Sequence, residues 1–337
     1  MILHPGILAL LLSSALIFLV MLVAGILGLK ILLRWNPASN EESQLLLERR
    51  TWLVSSLIKY AFGLQIVTAV LFVFTADDIH RLFVGAMCAT GSLNANLVGW
   101  LVLLTKGLLL FLAAFWVVIN HLDQQTEDAP LVRVKYLSLL LILPIVGLDF
   151  YLQWSYFTGL RPEVITSCCG SLFSAEGESV ASELAAMPAE VGIPLFFSVL
   201  ACYLGCLAAC LAFRNPLLRH VQFVLSVLMF FVALVSILSF MSPYIYQLPS
   251  HHCPFDMLQD NYGFIGYPMY AGLFAATIYG MLPAICLPFG KKHQSFGKLV
   301  DRSEKRWLWT ALTGMLIFVV LGCWQMIFGS LSLLGSY

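Results

Sequence analysis

The chain has 337 residues, of which 60% are hydrophobic and only 11% charged, with 18 basic and 18 acidic side chains in balance. A soluble domain carries about 25% charged residues, so a water-soluble fold of this composition would have to display large apolar patches, and a bilayer is the expected solvent. The formal net charge of zero gives no electrostatic basis for binding nucleic acid.

Eight apolar segments reach the roughly 20 residues that a helix needs to cross hydrocarbon: 6–33, 52–75, 97–119, 136–157, 191–213, 220–242, 264–289 and 307–332. A barrel strand would alternate apolar and polar residues over about ten positions. Runs such as Leu101 to Val118 are continuous instead, so the expected fold is all-α, a single polytopic helical domain over 1–337. No Lys or Arg precedes the first apolar run, which is also longer than a signal-peptide core, so it reads as a true span.

Orientation follows from the basic residues. The connections 34–51, 120–135, 214–219 and 290–306 hold Arg34, Arg49, Arg50, Arg133, Lys135, Arg214, Arg219, Lys291, Lys292, Lys298, Arg302, Lys305 and Arg306, which is 13 of the 18. The opposite connections hold only Arg81 and Arg161. The positive-inside rule then places the basic loops in the cytoplasm and both termini outside. The expected location is a bacterial cytoplasmic (inner) membrane, with lipid as the main surrounding partner. Ser39-Asn40-Glu41-Glu42 after Pro37 reads as a capping box that starts a short interfacial helix over 44–50. On the outside, Ser179 to Met187 suits a short helix within the long loop 158–190, which also carries Glu163, Glu176, Glu178, Glu183 and Glu190. The third outside loop is rich in aromatics (Tyr244, Tyr246, Phe255, Tyr262, Tyr267 and Tyr270), which interfacial belts account for.

Nine cysteines divide by position. Cys202, Cys206, Cys210, Cys286 and Cys323 lie in spans, and the first three share one helix face at four-residue spacing, where small residues let helices approach. Cys88, Cys168, Cys169 and Cys253 fall in the three outside connections, where an oxidising compartment turns thiols into disulfides or metal ligands. Ser250-His251-His252-Cys253-Pro254-Phe255-Asp256 is the densest stretch. Imidazole beside thiolate suits copper or zinc, and a protonated imidazole also raises the thiolate fraction. Cys253-Pro254-Phe255-Asp256 has the spacing of a redox Cys-x-x-Cys with Asp in the second position, so a resolving thiol must come from Cys88 or the Cys168-Cys169 pair. In loop one, His80 precedes Gly85-Ala86-Met87-Cys88, whose glycine suits a tight turn and whose Met87 offers a thioether.

Lys106 and Asp149 are the acid and base nearest mid-span. Counted from the outside ends of neighbouring spans, both lie roughly 12–14 Å deep at 1.5 Å per residue, so a facing ion pair is expected, serving as a pin, a gate or a proton or ion relay. All seven histidines lie at span ends or in loops, so no haem b with two spanning histidine ligands is expected. The chain has no P-loop, GxSxG, HExxH or dinucleotide fingerprint. The leading functional expectation is capture or transfer of a soft metal ion, copper or zinc, by His251, His252, Cys253, Cys88, Cys168 and Cys169, with an extracytoplasmic metal or thiol carrier as partner. One alternative is a thiol–disulfide oxidoreductase coupled to membrane quinone, in which Cys253 attacks, His252 activates it and Cys88 resolves. Another is a disulfide-stapled anchor or assembly subunit of a larger complex.

Overall fold

In the computed structural model of the chain, residues 2–35, 42–126, 129–161 and 187–333 are described, except for the side chains of 42–45. Their regular structure is entirely helical, and eight helices are long and apolar enough to cross a membrane. These are α1 (Pro5–Arg34), α2 (Glu42–Asp78), α3 (Val98–Asp123), α4 (Val132–Gly159), α5 (Ala189–Ala212), α6 (Pro216–Ser236), α7 (Gly266–Lys292) and α8 (Gln294–Phe328). A π-helical turn, Ile237–Met241, and a last turn, Ser242–Tyr246, extend α6. The eight apolar segments of the sequence correspond to these helices one for one. The separate helix expected over 44–50 is instead the first part of α2, because no Pro or Gly stands between Glu42 and Gly63 to end it. The capping residues Ser39 to Glu41, Cys168, Cys169 and the expected helix up to residue 186 lie outside the described residues.

The chain forms two compact units, the first around α1–α4 and the second around α5–α8 together with Gly85–Gly91. In the first, α1 packs on α2 and α4, and α3 packs on the same two, which closes a ring of four helices. Each helix turns one stripe inward at the 3.6-residue period. On α1 the stripe is Ile7, Leu10, Ser14, Ile17, Met21, Ala24, Gly28 and Ile31, while Leu12, Leu16, Leu19 and Val23 face outward. On α4 it is Leu139, Ile142, Val146, Asp149, Gln153 and Tyr156. The arrangement is thus apolar on the outside, with Lys106, Asp149, Gln65 and Gln153 buried within. That is the reverse of a soluble protein and the pattern that lipid favours.

Two cations of the basic connections, Lys135 and Arg219, are buried. Lys135, in the first turn of α4, lies 2.6 Å from Asp123 Oδ2 and donates to Asn120 Oδ1. Arg219, in the first turns of α6, donates to Glu304 at 2.6 Å and to Asp301 at 3.2 Å.

In the second unit α5 packs on α6 and α6 on α7. The Phe196 and Phe318 rings, with centroids 6.3 Å apart, join α5 to α8. Along α5, Cys202 is exposed, Cys206 half-buried and Cys210 buried, so the cysteine face runs from the outer surface into the helix contact. Helices α7 and α8 cross at Gly272 and Gly314, where a Cβ on either would stand 2.6–2.7 Å from the other's carbonyl oxygen. No side chain fits there without moving backbone. Replacing Gly314 with Ala should therefore cost about 1–3 kcal/mol by overpacking. Gly107→Ala, with nothing within 4 Å, should be neutral or slightly stabilising. Thermal unfolding in detergent checks this, and equal midpoints for the two variants would refute the close crossing.

Candidate functional site

The site is built where α6 ends. The π-helical turn shifts the hydrogen-bond register, and the carbonyl of Leu238 within it accepts a hydrogen bond from His252 Nδ1 at 2.7 Å, which requires the proton on that nitrogen. Gln247 then adopts a left-handed conformation, with φ 56°, and reverses the chain. Its side-chain oxygen accepts from the backbone N–H groups of Ser330 and Leu331, which fixes the reversal against the end of α8.

Two tyrosines hold the segment that follows. Tyr246 donates to the Cys253 carbonyl at 2.6 Å and accepts from Met257 N at 2.9 Å. Tyr270, from α7, donates to the Pro254 carbonyl at 2.8 Å. The backbone of 253–257 is thus clamped on both sides before the single turn Asp256–Leu258. That turn carries the carboxylate back toward the residue three positions earlier, Cys253.

Cys88 arrives from loop one. Gly85 takes φ 84°, a left-handed value that favours glycine, and Gln259 donates to the Met87 carbonyl at 3.0 Å, tying loop one to the third loop. The sulfurs of Cys88 and Cys253 stand 3.3 Å apart, and Thr90 Oγ1 lies 3.5 Å from Cys253 Sγ. Cys88, Cys253 and Asp256 are buried, and one ligand atom from each lies within 4.8 Å of the other two. Behind them His251 Nε2 is 2.5 Å from Asp256 Oδ2, and the Tyr246 ring packs edge-on to His251.

Burial alone pushes the Asp256 carboxyl up. Hydrogen bonds from His251, Cys88 and Cys253, together with the charge of His251, outweigh it and hold the group below the usual carboxylate range. His252 is held below its ordinary value, chiefly by burial, against the opposing effect of its bond to Leu238.

Of the six residues expected to form a metal site, Cys88 and Cys253 meet directly. His251 joins through Asp256, and His252 turns to the Leu238 carbonyl. Cys168 and Cys169 lie outside the described residues. Met87 is exposed, and His80 bonds to the Asp77 carbonyl. Asp256 is the main addition. Its Cys-x-x-Asp spacing is visible in the sequence, where Asp stands in the place of a second thiol. Tyr246 and Tyr270 left no such signal, because they act on backbone carbonyls. No protein-family model, curated protein or solved structure matches the chain.

Two outcomes follow from this geometry. Tyr246→Phe removes the bond to the Cys253 carbonyl and leaves the buried Met257 N–H unpaired, a cost of about 1–3 kcal/mol. It should lower the thermal midpoint and speed alkylation of Cys88 and Cys253; unchanged labelling would show that the clamp does not hold them. The depressed His252 means that the unfolded chain binds its proton more readily than the folded one. The stability this contributes is present above the unfolded value of about 6.5 and is lost as pH falls through and below it. His252→Asn keeps a donor near Leu238 but does not titrate, so its midpoint should fall less than wild type between about pH 7.5 and 5.5.

Proposed function

We propose that the chain is a multi-pass protein of a bacterial cytoplasmic membrane, with both ends outside, that binds a soft or borderline metal ion at Cys88, Cys253 and Asp256 for capture or transfer. The observation that carries this reading is the meeting of two thiols and a carboxylate, all buried, with ligand atoms within 4.8 Å of one another. Tetrahedral zinc with Zn–S bonds of about 2.3 Å would hold two sulfurs about 3.8 Å apart, a small opening from the 3.3 Å between them here. A mixed thiolate and carboxylate set suits borderline zinc better than copper(I), which thiolate and thioether donors select. His251 on Asp256 plays the part of the outer partner that orients a ligand. Cys168 and Cys169 are candidates for completing the shell, and the acidic loop around them would concentrate cations.

The reduced protein, purified without chelator, should carry about one metal ion per chain by elemental analysis, lost in Cys88→Ser and Cys253→Ser. His251→Ala should weaken affinity about 10–100-fold. A wild-type protein free of metal under reducing conditions sinks the reading.

The 3.3 Å sulfur separation also supports the alternative of a thiol–disulfide oxidoreductase coupled to quinone, since a disulfide needs the sulfurs at about 2.05 Å. Alkylation separates the two. Thiols that become unreactive when quinone is supplied and recover on reduction favour the exchanger. Permanently blocked cysteines without metal favour a stapled anchor.

A further inference from the structure

The middle of the first unit holds a second polar cluster, made by α2, α3 and α4. Asp149 Oδ2 accepts from Lys106 Nζ at 2.9 Å and from the side-chain amides of Gln65 and Gln153, each at 3.1 Å. Lys106 also donates to Thr68 Oγ1 at 3.3 Å. All five residues are at most 1% exposed. Lys106 lies about 12 Å from the start of α3, and Asp149 about 15 Å from the end of α4, at 1.5 Å per residue.

The cluster is lopsided. Oδ2 takes three donors, while Asp149 Oδ1, Gln65 Oε1 and Gln153 Oε1 have no hydrogen-bond partner in the protein. Both glutamine oxygens belong to amides whose nitrogens bond to this same carboxylate. Each unsatisfied buried acceptor costs about 1–3 kcal/mol, and a pair that only pins two helices has no use for them. The ionised pair also carries a desolvation cost of several kcal/mol per ion. One change relieves much of this. If Oδ1 carries a proton, the new O–H donates to Gln65 or Gln153 Oε1, and two of the three oxygens are satisfied at once.

Buried polar atoms without a partner in the protein lie toward both ends of the unit, with Asn120 Nδ2 at the end of α3. Toward the end of α2, buried Thr75 Oγ1 and Ser92 Oγ are further polar atoms without a partner in the protein, beyond the contact of Phe72 with Tyr156 and Phe157. Buried apolar side chains fill both directions, Phe62, Leu109, Ala113, Trp116 and Val146 toward the start of α2 and Phe72, Tyr156 and Phe157 toward its end.

We propose that the Lys106–Asp149 node is a proton-exchange site. Oδ1 gains a proton from water and Nζ loses one to water, so ammonium and carboxylate become amine and carboxyl. One proton enters and one leaves, and the node stays neutral. The amine still donates to Oδ2. A small metal cation is the poorer occupant, since beside Lys106 and Asp149 it would leave a net positive charge in an apolar core.

Infrared spectroscopy of the full chain in detergent at neutral pH tests this. Wild type should show the C=O stretch of a protonated carboxyl that moves to lower frequency on carboxyl-¹³C labelling of aspartate and again on transfer to D2O. The signal should be lost in the neutral pair Lys106→Met/Asp149→Leu, which is chosen because apolar replacement of a whole buried pair is tolerated. Gln153→Leu should shift the band without abolishing it. Absence of any protonated aspartate signal in wild type overturns the proposal, leaving a fixed ion pair whose oxygens are served by water. So does a signal that ignores deuterium, which would be a buried carboxyl out of exchange. The wild-type labelling experiment decides the matter even if the double variant does not fold.

Discussion

An exterior made of leucine, valine and phenylalanine leaves polar side chains few places to go, and most of this molecule follows from that constraint. With outward stripes such as Leu12, Leu16, Leu19 and Val23, the polar side chains that bond between helices do so inside the bundle, while Ser198 and Thr313 on the outside bond to their own helix backbone. Lys106, Asp149, Gln65, Gln153 and Thr68 meet at the centre of the first unit, Lys135 meets Asp123 and Asn120 near one end of it, and Arg219 meets Glu304 and Asp301 in the second. Each cluster joins at least two helices. In a bilayer, where leucine would gain nothing by leaving lipid for leucine, these contacts and the small-residue crossing at Gly272 and Gly314 would carry the specificity of packing.

The cysteine site obeys a different logic. It lies where α6 has ended, so its backbone groups lose the regular helical ladder and need individual partners. Tyr246, Tyr270, His252 and Gln247 supply them through the carbonyls of Cys253, Pro254 and Leu238 and the N–H groups of Met257, Ser330 and Leu331. Those bonds hold Cys253 in place, so the residues that shape the site outnumber those that would touch a metal or a disulfide partner. A rigid clamp also explains how two sulfurs 165 positions apart in sequence come to lie 3.3 Å from one another.

How much of this could be read in the sequence depended on the kind of signal. Helix number was legible, because each run of about 20 apolar residues is a strong local pattern. The meeting of Lys106 with Asp149 was legible too, since equal depth on successive helices is simple arithmetic on helical rise. Lys135 and Arg219 were not: a cation at a helix start looks like a loop cation until the fold shows Asp123 or Glu304 beside it. The neighbours that complete the central node, Gln65 and Gln153, lie among apolar residues and were silent. At the cysteine site the soft ligands stood out by type, whereas Asp256 depended on a single turn folding back onto Cys253. Tyr244, Tyr246 and Phe255 have the composition of an interfacial belt, yet all three are buried. Composition alone cannot tell an aromatic facing headgroups from one holding a carbonyl.

Replacing a buried ion pair with well-packed apolar side chains often costs nothing and can stabilise. A chain in a lipid-like setting that keeps such pairs therefore keeps them for register or for chemistry. The Lys135–Asp123 contact fits register: Asp123 Oδ1 also accepts the Leu131 N–H at 2.7 Å, so the carboxylate closes the turn between α3 and α4 as well as pairing with the lysine. Arg219, shared between Glu304 and Asp301, ties the start of α6 to α8, which is not its neighbour in sequence. The Lys106–Asp149 node closes no turn, and α3 and α4 are already joined by that short connection and its ion pair. Register is therefore served without it, and its surplus of acceptor oxygens adds nothing to a pin. What distinguishes it is that three of its acceptor oxygens, Asp149 Oδ1, Gln65 Oε1 and Gln153 Oε1, have no hydrogen-bond partner in the protein, and proton exchange is proposed from that surplus.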